Sequence, residues 1–418
     1  MMFFLYCLSA FASQFKYILS FSFHGLYINP VRICVVILIL WDIVVHQGRI
    51  KYRHSGNNRW LVALLVWNIW NCISIVWAKD TRGLISTEII IFEALAFIYY
   101  GQKFITPKER FVQLIDTLTL AVLTHNCLGW LEVTRKIYLF SIYSDKYSRL
   151  GYPVSTFTNT NNYGFYLALM AIMLLTVFLS TENIRRKTVS GGLFVSSILL
   201  LIRTGSRGAI IAFVFGVILF TLITMRNKKM AGRIALVLIV LATVVVINAN
   251  LRSTIMAIME KAFTMDVNAV SGSDFYRMNM YANGMDFFRD SIGLGVGAGN
   301  VEFWMEHYGS RFTNSIYNLH NWWLEILVGS GVVVTFFVLR TWIDYYKQLI
   351  AEVKRRELAN SNKIIIGGLL SIGGVYAVGC ISPSSLYSSE WPWLLLALFF
   401  LGKPVITEYG KEEIAYEH

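Results

Sequence analysis

Runs of about 17–20 consecutive apolar residues recur along this chain, separated by short polar turns, and that length is what an α-helix needs to cross a bilayer. The pattern predicts spans at roughly 3–23, 31–46, 60–77, 84–100, 111–132, 161–180, 190–203, 207–224, 234–249, 320–343, 363–380 and 391–402. About twelve transmembrane helices follow, and the fold class expected is all-α and polytopic. Within the runs the polar residues are too sparse to mark one wet helix face, so each helix has lipid or protein on all sides. Two stretches interrupt the rhythm. Residues 133–160 and 250–319 form long polar connections, the second lying before the tenth span.

The connections alternate in charge. One set carries Arg49, Lys51, Arg53 and Arg59, then Lys103, Lys108 and Arg110, then Arg185, Arg186 and Lys187. It continues with Arg226, Lys228, Lys229 and Arg233, and with Lys347, Lys354, Arg355, Arg356 and Lys363. The positive-inside rule puts this set in the cytoplasm, which leaves both termini cytoplasmic and the two long loops outside. The same assignment accounts for the net charge of +12 without a nucleic-acid partner. With 56% hydrophobic and 15% charged residues, the chain has too little polar surface for a soluble domain of its length. One integral membrane domain, 1–418, is expected, with 250–319 as a large extracytoplasmic loop contributing to the site. Met1–Ala12 lacks a basic leader and reads as a retained first span. Cys7, Cys34, Cys72, Cys127 and Cys380 all sit in apolar stretches without CxxC spacing, and read as packing residues.

Four places hold chemistry. The turn Arg203-Thr-Gly-Ser-Arg207-Gly joins two spans, and Arg207 opens a helix whose free N–H groups favour an anion. Either arginine is also readable as a snorkelling residue at a helix end. In the long outer loop, Asp274 precedes Arg277 by three residues, a spacing that lets the carboxylate orient the guanidinium. Met278, Tyr281, Met285 and Phe288 then form an apolar stripe suited to a membrane surface. The ladder Gly293-Leu-Gly295-Val-Gly297-Ala-Gly299 is not a dinucleotide fingerprint, but lets another group approach its backbone. Last, His320-Asn321 opens a span ahead of Trp322 and Trp323. The histidine reads either as an interfacial anchor or as a base kept neutral by the positive helix end. His307 shares its loop. Glu88 and Glu93 lie mid-span, as a transporter's ion relay or as buried polar pairs. No HExxH, DxD or Cys/His cluster calls for a metal, and no cofactor motif appears.

The ordered set Phe157-Thr-Asn159-Thr-Asn161-Asn162, Ser206-Arg207-Gly208-Ala209, Arg277 with Gly293-Leu-Gly295-Val-Gly297, and His320-Asn321 through Gly329-Ser-Gly331 resembles the O-antigen ligase and polysaccharide polymerase family. The resemblance covers about residues 60–345. It implies a GT-C-like fold with an outward-facing site in a bacterial cytoplasmic membrane. It also implies an inverting, metal-independent glycosyl transfer from an undecaprenyl-diphosphate-linked glycan to a hydroxyl on a glycan acceptor. The family's arginines map onto Arg207 and Arg277 and its histidine onto His320. Arg203, Asp274, Asn159, Asn161, Asn321, Gly295 and Gly297 are then expected to touch substrate. Glu390 has no settled counterpart. Polymerase is the leading reading, with a chain-length regulator as an added partner. A ligase acting on a finished glycan is the near alternative, and a lipid-linked glycan flippase the alternative from another class.

Overall fold

The computed structural model describes residues 1–23, 26–46, 58–105, 108–140, 149–157, 159–224, 273–355, 359–384 and 386–402. Among these the chain is a multi-pass, nearly all-helical membrane protein. Seven described helices are long and apolar enough to cross a bilayer: α5 (Thr81–Phe104), α6 (Lys108–Arg135), α7 (Thr160–Ser180), α8 (Ile184–Thr204), α9 (Arg207–Thr224), α12 (Trp322–Val353) and α13 (Asn360–Gly379). Shorter apolar helices are α1 (Met2–Ala12), α3 (Pro30–His46), α4 (Asn58–Ser74) and α14 (Glu390–Gly402). Exposed apolar stripes such as Val36, Leu40 and Val44 on α3, or Ile211, Ile218 and Leu222 on α9, are what lipid-facing surfaces require. The expected span at 234–249 lies outside the described residues.

The first predicted span is divided. Its helix stops at Ala12, continues through a tight turn at Ser13–Phe15 and a short α2 (Lys16–Leu19), and gives way to an antiparallel pair, β1 (Phe21–Phe23) and β2 (Leu26–Ile28). Ser20-Phe-Ser-Phe alternates with period two, which suits a strand and not a helix. The long connection before α12 also contains described helices, α10 (Ser273–Asp290) and α11 (Val301–Tyr308).

The chain divides into two compact units. The first comprises residues 1–118, 267–347 and 384–412, and the second 119–266, 348–383 and 413–418. In the second, α7 is buried along most of its length and packs on α8, α9 and α13 through small residues. A Cβ on Gly164 would meet Ser206 at 2.9 Å, and one on Gly379 would meet Phe165 at 2.7 Å. Close backbone approach of this kind is how helices associate where no hydrophobic effect separates them from lipid. In the first unit, α10 and α11 close over a core of Met280, Phe287, Val296, Val301, Met305, Leu319 and Val328. The expected stripe Met278/Tyr281/Met285/Phe288 is therefore not the face that α10 buries. Met280, Asn283, Gly284 and Phe287 turn inward instead.

Candidate active site

His320 occupies a constrained turn. Its φ is 50°, a left-handed value that non-glycine residues adopt at a cost and usually at sites that surrounding structure dictates. The fixing comes from both sides. Leu319 is fully buried in the core under α10. Asn321 caps α12, its Oδ1 accepting from the Leu324 N–H at 3.3 Å. Glu325, one turn into α12 and 6% exposed, accepts hydrogen bonds from the backbone of Leu319 and Tyr387. The imidazole thus projects, half-buried, from a backbone held before and after it.

Arg277 lies on α10, half-buried, and makes no ion pair or hydrogen bond with any described residue. Asp274 is in the same helix, but its side chain lies outside the described residues, as does any pairing with Arg277. Gly284 lets α10 sit against Leu319, where an added Cβ would fall 2.9 Å from the leucine side chain. Arg277 is seven residues earlier, about 10 Å of helix rise from that contact. The first unit therefore packs the helix that carries Arg277 against the residue that precedes His320 and Asn321.

The glycine ladder has a role that its spacing did not disclose. Within α12 the helix breaks at Gly331 (φ 82°, ψ 179°). The break costs backbone partners that a bilayer cannot replace. The ladder supplies them. The Val296 N–H donates to the Val328 carbonyl (2.8 Å), Gly297 N–H to Gly329 (3.0 Å), and Val332 N–H to Gly293 (2.9 Å). Gly293, Gly295, Gly297 and Gly299 all have positive φ. A Cβ on Gly295 would lie 2.5 Å from the Gly331 nitrogen. The group that Gly295 admits closely is thus this chain's own membrane helix, while a Cβ on Gly297 would meet Ala78 at 2.8 Å, between α4 and α5. The ladder's far end is tied to the start of α5: the Asn300 amide donates to the Asp80 carbonyl (2.9 Å) and its Oδ1 accepts from the Asp80 N–H (2.6 Å).

The second unit holds the other candidates. Gly205 (φ 67°) ends α8 as a left-handed cap and Arg207 begins α9. Asn159 caps α7, accepting from the Asn162 N–H at 2.9 Å. Asn161 accepts from the Ser206 hydroxyl at 2.9 Å, which joins the two polar motifs at one helix junction. Arg203 stands in the last turn of α8. The structure thus brings Asn161 to the Arg207 turn, and seats the helix that carries Arg277 against Leu319, the residue before His320, each inside its own unit.

Several acidic residues in or near the spans form polar ties. Buried Glu132 accepts from the N–H groups of Val154 (2.7 Å) and Ser155 (2.8 Å), pinning the segment before Asn159. A buried loop needs such an acceptor, and a lone Glu near a span end was its only signal. Glu88 accepts from Asn71 at 3.0 Å, and Glu93 from Arg32 at 3.1 Å. Glu390 accepts from Asn29 at 2.9 Å. All three serve as polar ties between helices in the first unit. His307 is exposed, stacked on Phe303 and bonded to that residue's carbonyl.

A cavity of ≈ 360 Å³ lies in the first unit, bounded by α5, α11, the Tyr317–Asn318 segment and α12. Glu302 stands at its wall, open to solvent, and desolvation by the neighbouring protein raises that carboxyl's pKa above the ordinary value.

Residues 192–339 match the family model for O-antigen ligase. A Bacillus subtilis (strain 168) protein, teichuronic acid biosynthesis protein TuaE, is 26% identical over 345 residues, spanning 81% of this chain and 70% of that protein. The matched segment runs from α8 through the Arg207 turn, Arg277, the glycine ladder and His320 into α12. Both findings support the family resemblance that these residues carry.

Proposed function

We propose that this chain is a membrane enzyme of polysaccharide biosynthesis that moves a glycan from a lipid diphosphate to an acceptor hydroxyl. The observation that carries the reading is the His320 turn: a half-buried imidazole, fixed in a left-handed backbone at the start of a membrane helix, with Arg277 on the helix packed against that turn. In the reaction His320 takes the proton of the acceptor hydroxyl. The oxygen attacks the anomeric carbon from the side opposite the diphosphate, the carbon–oxygen bond to the leaving group breaks, and configuration inverts. Arg277 and Arg207 balance the charge that gathers on the diphosphate, since guanidinium forks match phosphate oxygens. A glycosyl diphosphate already leaves well, so no covalent glycosyl-enzyme is needed. Arg203, Asn159 and Asn161 line the approach to Arg207 in this reading. The site faces away from the cytoplasm, in a bacterial inner membrane, because the basic connections face inward.

We favour a polymerase that joins undecaprenyl-diphosphate-linked repeat units over a ligase. Transport has less support, because Glu88 and Glu93, the residues that would relay ions, are engaged by Asn71 and Arg32. Reconstitution with a lipid-linked repeat unit alone tests the proposal. A ladder of products means polymerase. Product formation only after a second acceptor is added means ligase. Movement of intact lipid-linked glycan without any new glycosidic bond overturns both.

A further inference from the structure

The cavity beside the His320 turn has a lining whose chemistry is selective. Hydroxyls come from Ser86, Thr87, Tyr317, Tyr387 and Ser388, and an amide from Asn318. Carboxylates come from Asp80, Glu302, Glu306 and Glu325, and among the described residues no lysine or arginine lines it. Among the described residues no three His, Cys, Asp or Glu side chains converge to hold a metal ion, so the carboxylates do not form a cation cage. The volume lies at the lower end of small-molecule sites, which run from about 300 to 1,000 Å³. That suits one substituted sugar ring. Tyr317 and Phe303 add aromatic surface for its apolar face.

Placing the lipid diphosphate here would set it among four carboxylates with no cation. A hydroxyl-rich ring without a negative charge fits. Its O–H groups donate to the carboxylates, and such charge-assisted bonds are the stronger kind. The wall residues Tyr317 and Asn318 come directly before Leu319 and His320 in the chain. We propose that this cavity seats the acceptor's terminal sugar, and that its carboxylates select an uncharged or amino sugar over a uronic acid or a phosphorylated one. The assignment rests on the transferase reading for the word acceptor, while the ligand selection rests on the cavity alone.

The test uses the full-length protein in lipid nanodiscs, with methyl glucoside, methyl N-acetylglucosaminide and methyl glucuronide as probes, read by saturation-transfer NMR titration. The uncharged glycosides should bind saturably and the glucuronide at least tenfold more weakly. Glu302→Gln, at an exposed position that tolerates an isosteric change, should narrow that gap to threefold or less. Ser86→Phe, which fills the cavity, should weaken the uncharged probes at least tenfold. Glucuronide binding as tight as glucoside binding overturns the proposal, and so does a failure of all three probes to bind. Should Ser86→Phe not fold, the Glu302→Gln arm decides. Binding needs no turnover, so an inactive reconstituted protein that still prefers uncharged glycosides would sink the transferase reading and leave the cavity's selectivity standing.

Discussion

Two junctions in this protein hold a candidate cation, and they are built in opposite ways. In the first unit, the break in α12 is repaired by a loop. Alternating glycines with positive φ shape the loop so that the Val296 and Gly297 N–H groups reach the carbonyls of Val328 and Gly329, and the Gly293 carbonyl accepts from Val332. In the second unit, α8 and α9 stay regular on either side of a single left-handed cap, and glycines there make room for side chains. A Cβ on Gly208 would meet Ser382 Cβ at 2.6 Å, while one on Gly331 would strike the Leu294 carbonyl oxygen. Side chains can shift and a hydrogen-bonded backbone cannot. The His320 junction should therefore be stiff and intolerant, and the Arg207 junction more forgiving.

The widest separation between the two should appear in catalysis. In the proposed mechanism His320→Ala removes the base, and turnover on lipid-linked substrate should fall by roughly 10²–10⁴-fold. The melting temperature in detergent should change little, because the side chain is only half-buried. Arg277→Lys keeps the charge but loses the planar fork, so it too should lower turnover more than it lowers stability. Full polymer formation by both variants would remove the catalytic reading of the first junction.

The glycines come next. Gly331→Ala combines left-handed strain with a backbone clash and should cost about 2–6 kcal/mol, read as a lower melting temperature or lost expression. Gly208→Ala meets only an overpacked serine, and should cost about 1–3 kcal/mol. Equal losses would mean that the distinction between backbone-paired and side-chain-packed junctions is empty.

These cases show what the sequence discloses. The spans were legible because length and apolarity are one-dimensional properties, and 207–224 appears as α9 with the same limits. The Arg207 turn was legible for a similar reason, since two helices and their cap lie within a few residues. The first unit's junction was not. Gly293–Gly299 pairs with Val328–Val332, more than 30 residues away, and alternate glycines announce positive φ without naming the partner. The helix α11 was hidden because its mixed hydropathy resembles loop. The stretch of α10 showed its stripe for a membrane surface, but its inward face was not legible, because only the packing against Leu319 and the residues around Phe287 selects it.

A smaller effect tests the second junction. The Ser206 hydroxyl donates to Asn161 and is 2% exposed. Ser206→Ala leaves the asparagine oxygen without that donor, at a cost of about 0.5–1.5 kcal/mol. The loss should be matched, not added to, by Asn161→Ala in a double-mutant cycle. Strict additivity would show that the bond does not tie α7 to the Arg207 turn.

The smallest effect lies on the first unit's surface, where stiffness should matter least. Asp286 is bonded to Arg311 and lies 3.1 Å from Arg289, and those cations hold its pKa below the ordinary carboxylate value. A depressed pKa in the folded state means that the pair's contribution is fully present above the unfolded value of about 3.9, and is lost as pH falls through the folded one. Above pH 5 the contribution should be constant. Below about pH 4 it should diminish as the carboxylate takes up its proton, so wild type and Asp286→Asn should converge in melting temperature as the medium is acidified. The pair is exposed and salt should screen it, which limits its size. Arg311 also donates to the Asn283 Oδ1 from its backbone at 3.0 Å, inside the buried face of α10. That bond does not titrate. A pH profile that collapses the whole α10 packing along with the ion pair, seen as lost tryptophan fluorescence from Trp304, would mean that the surface pair holds the helix on and the buried face does not.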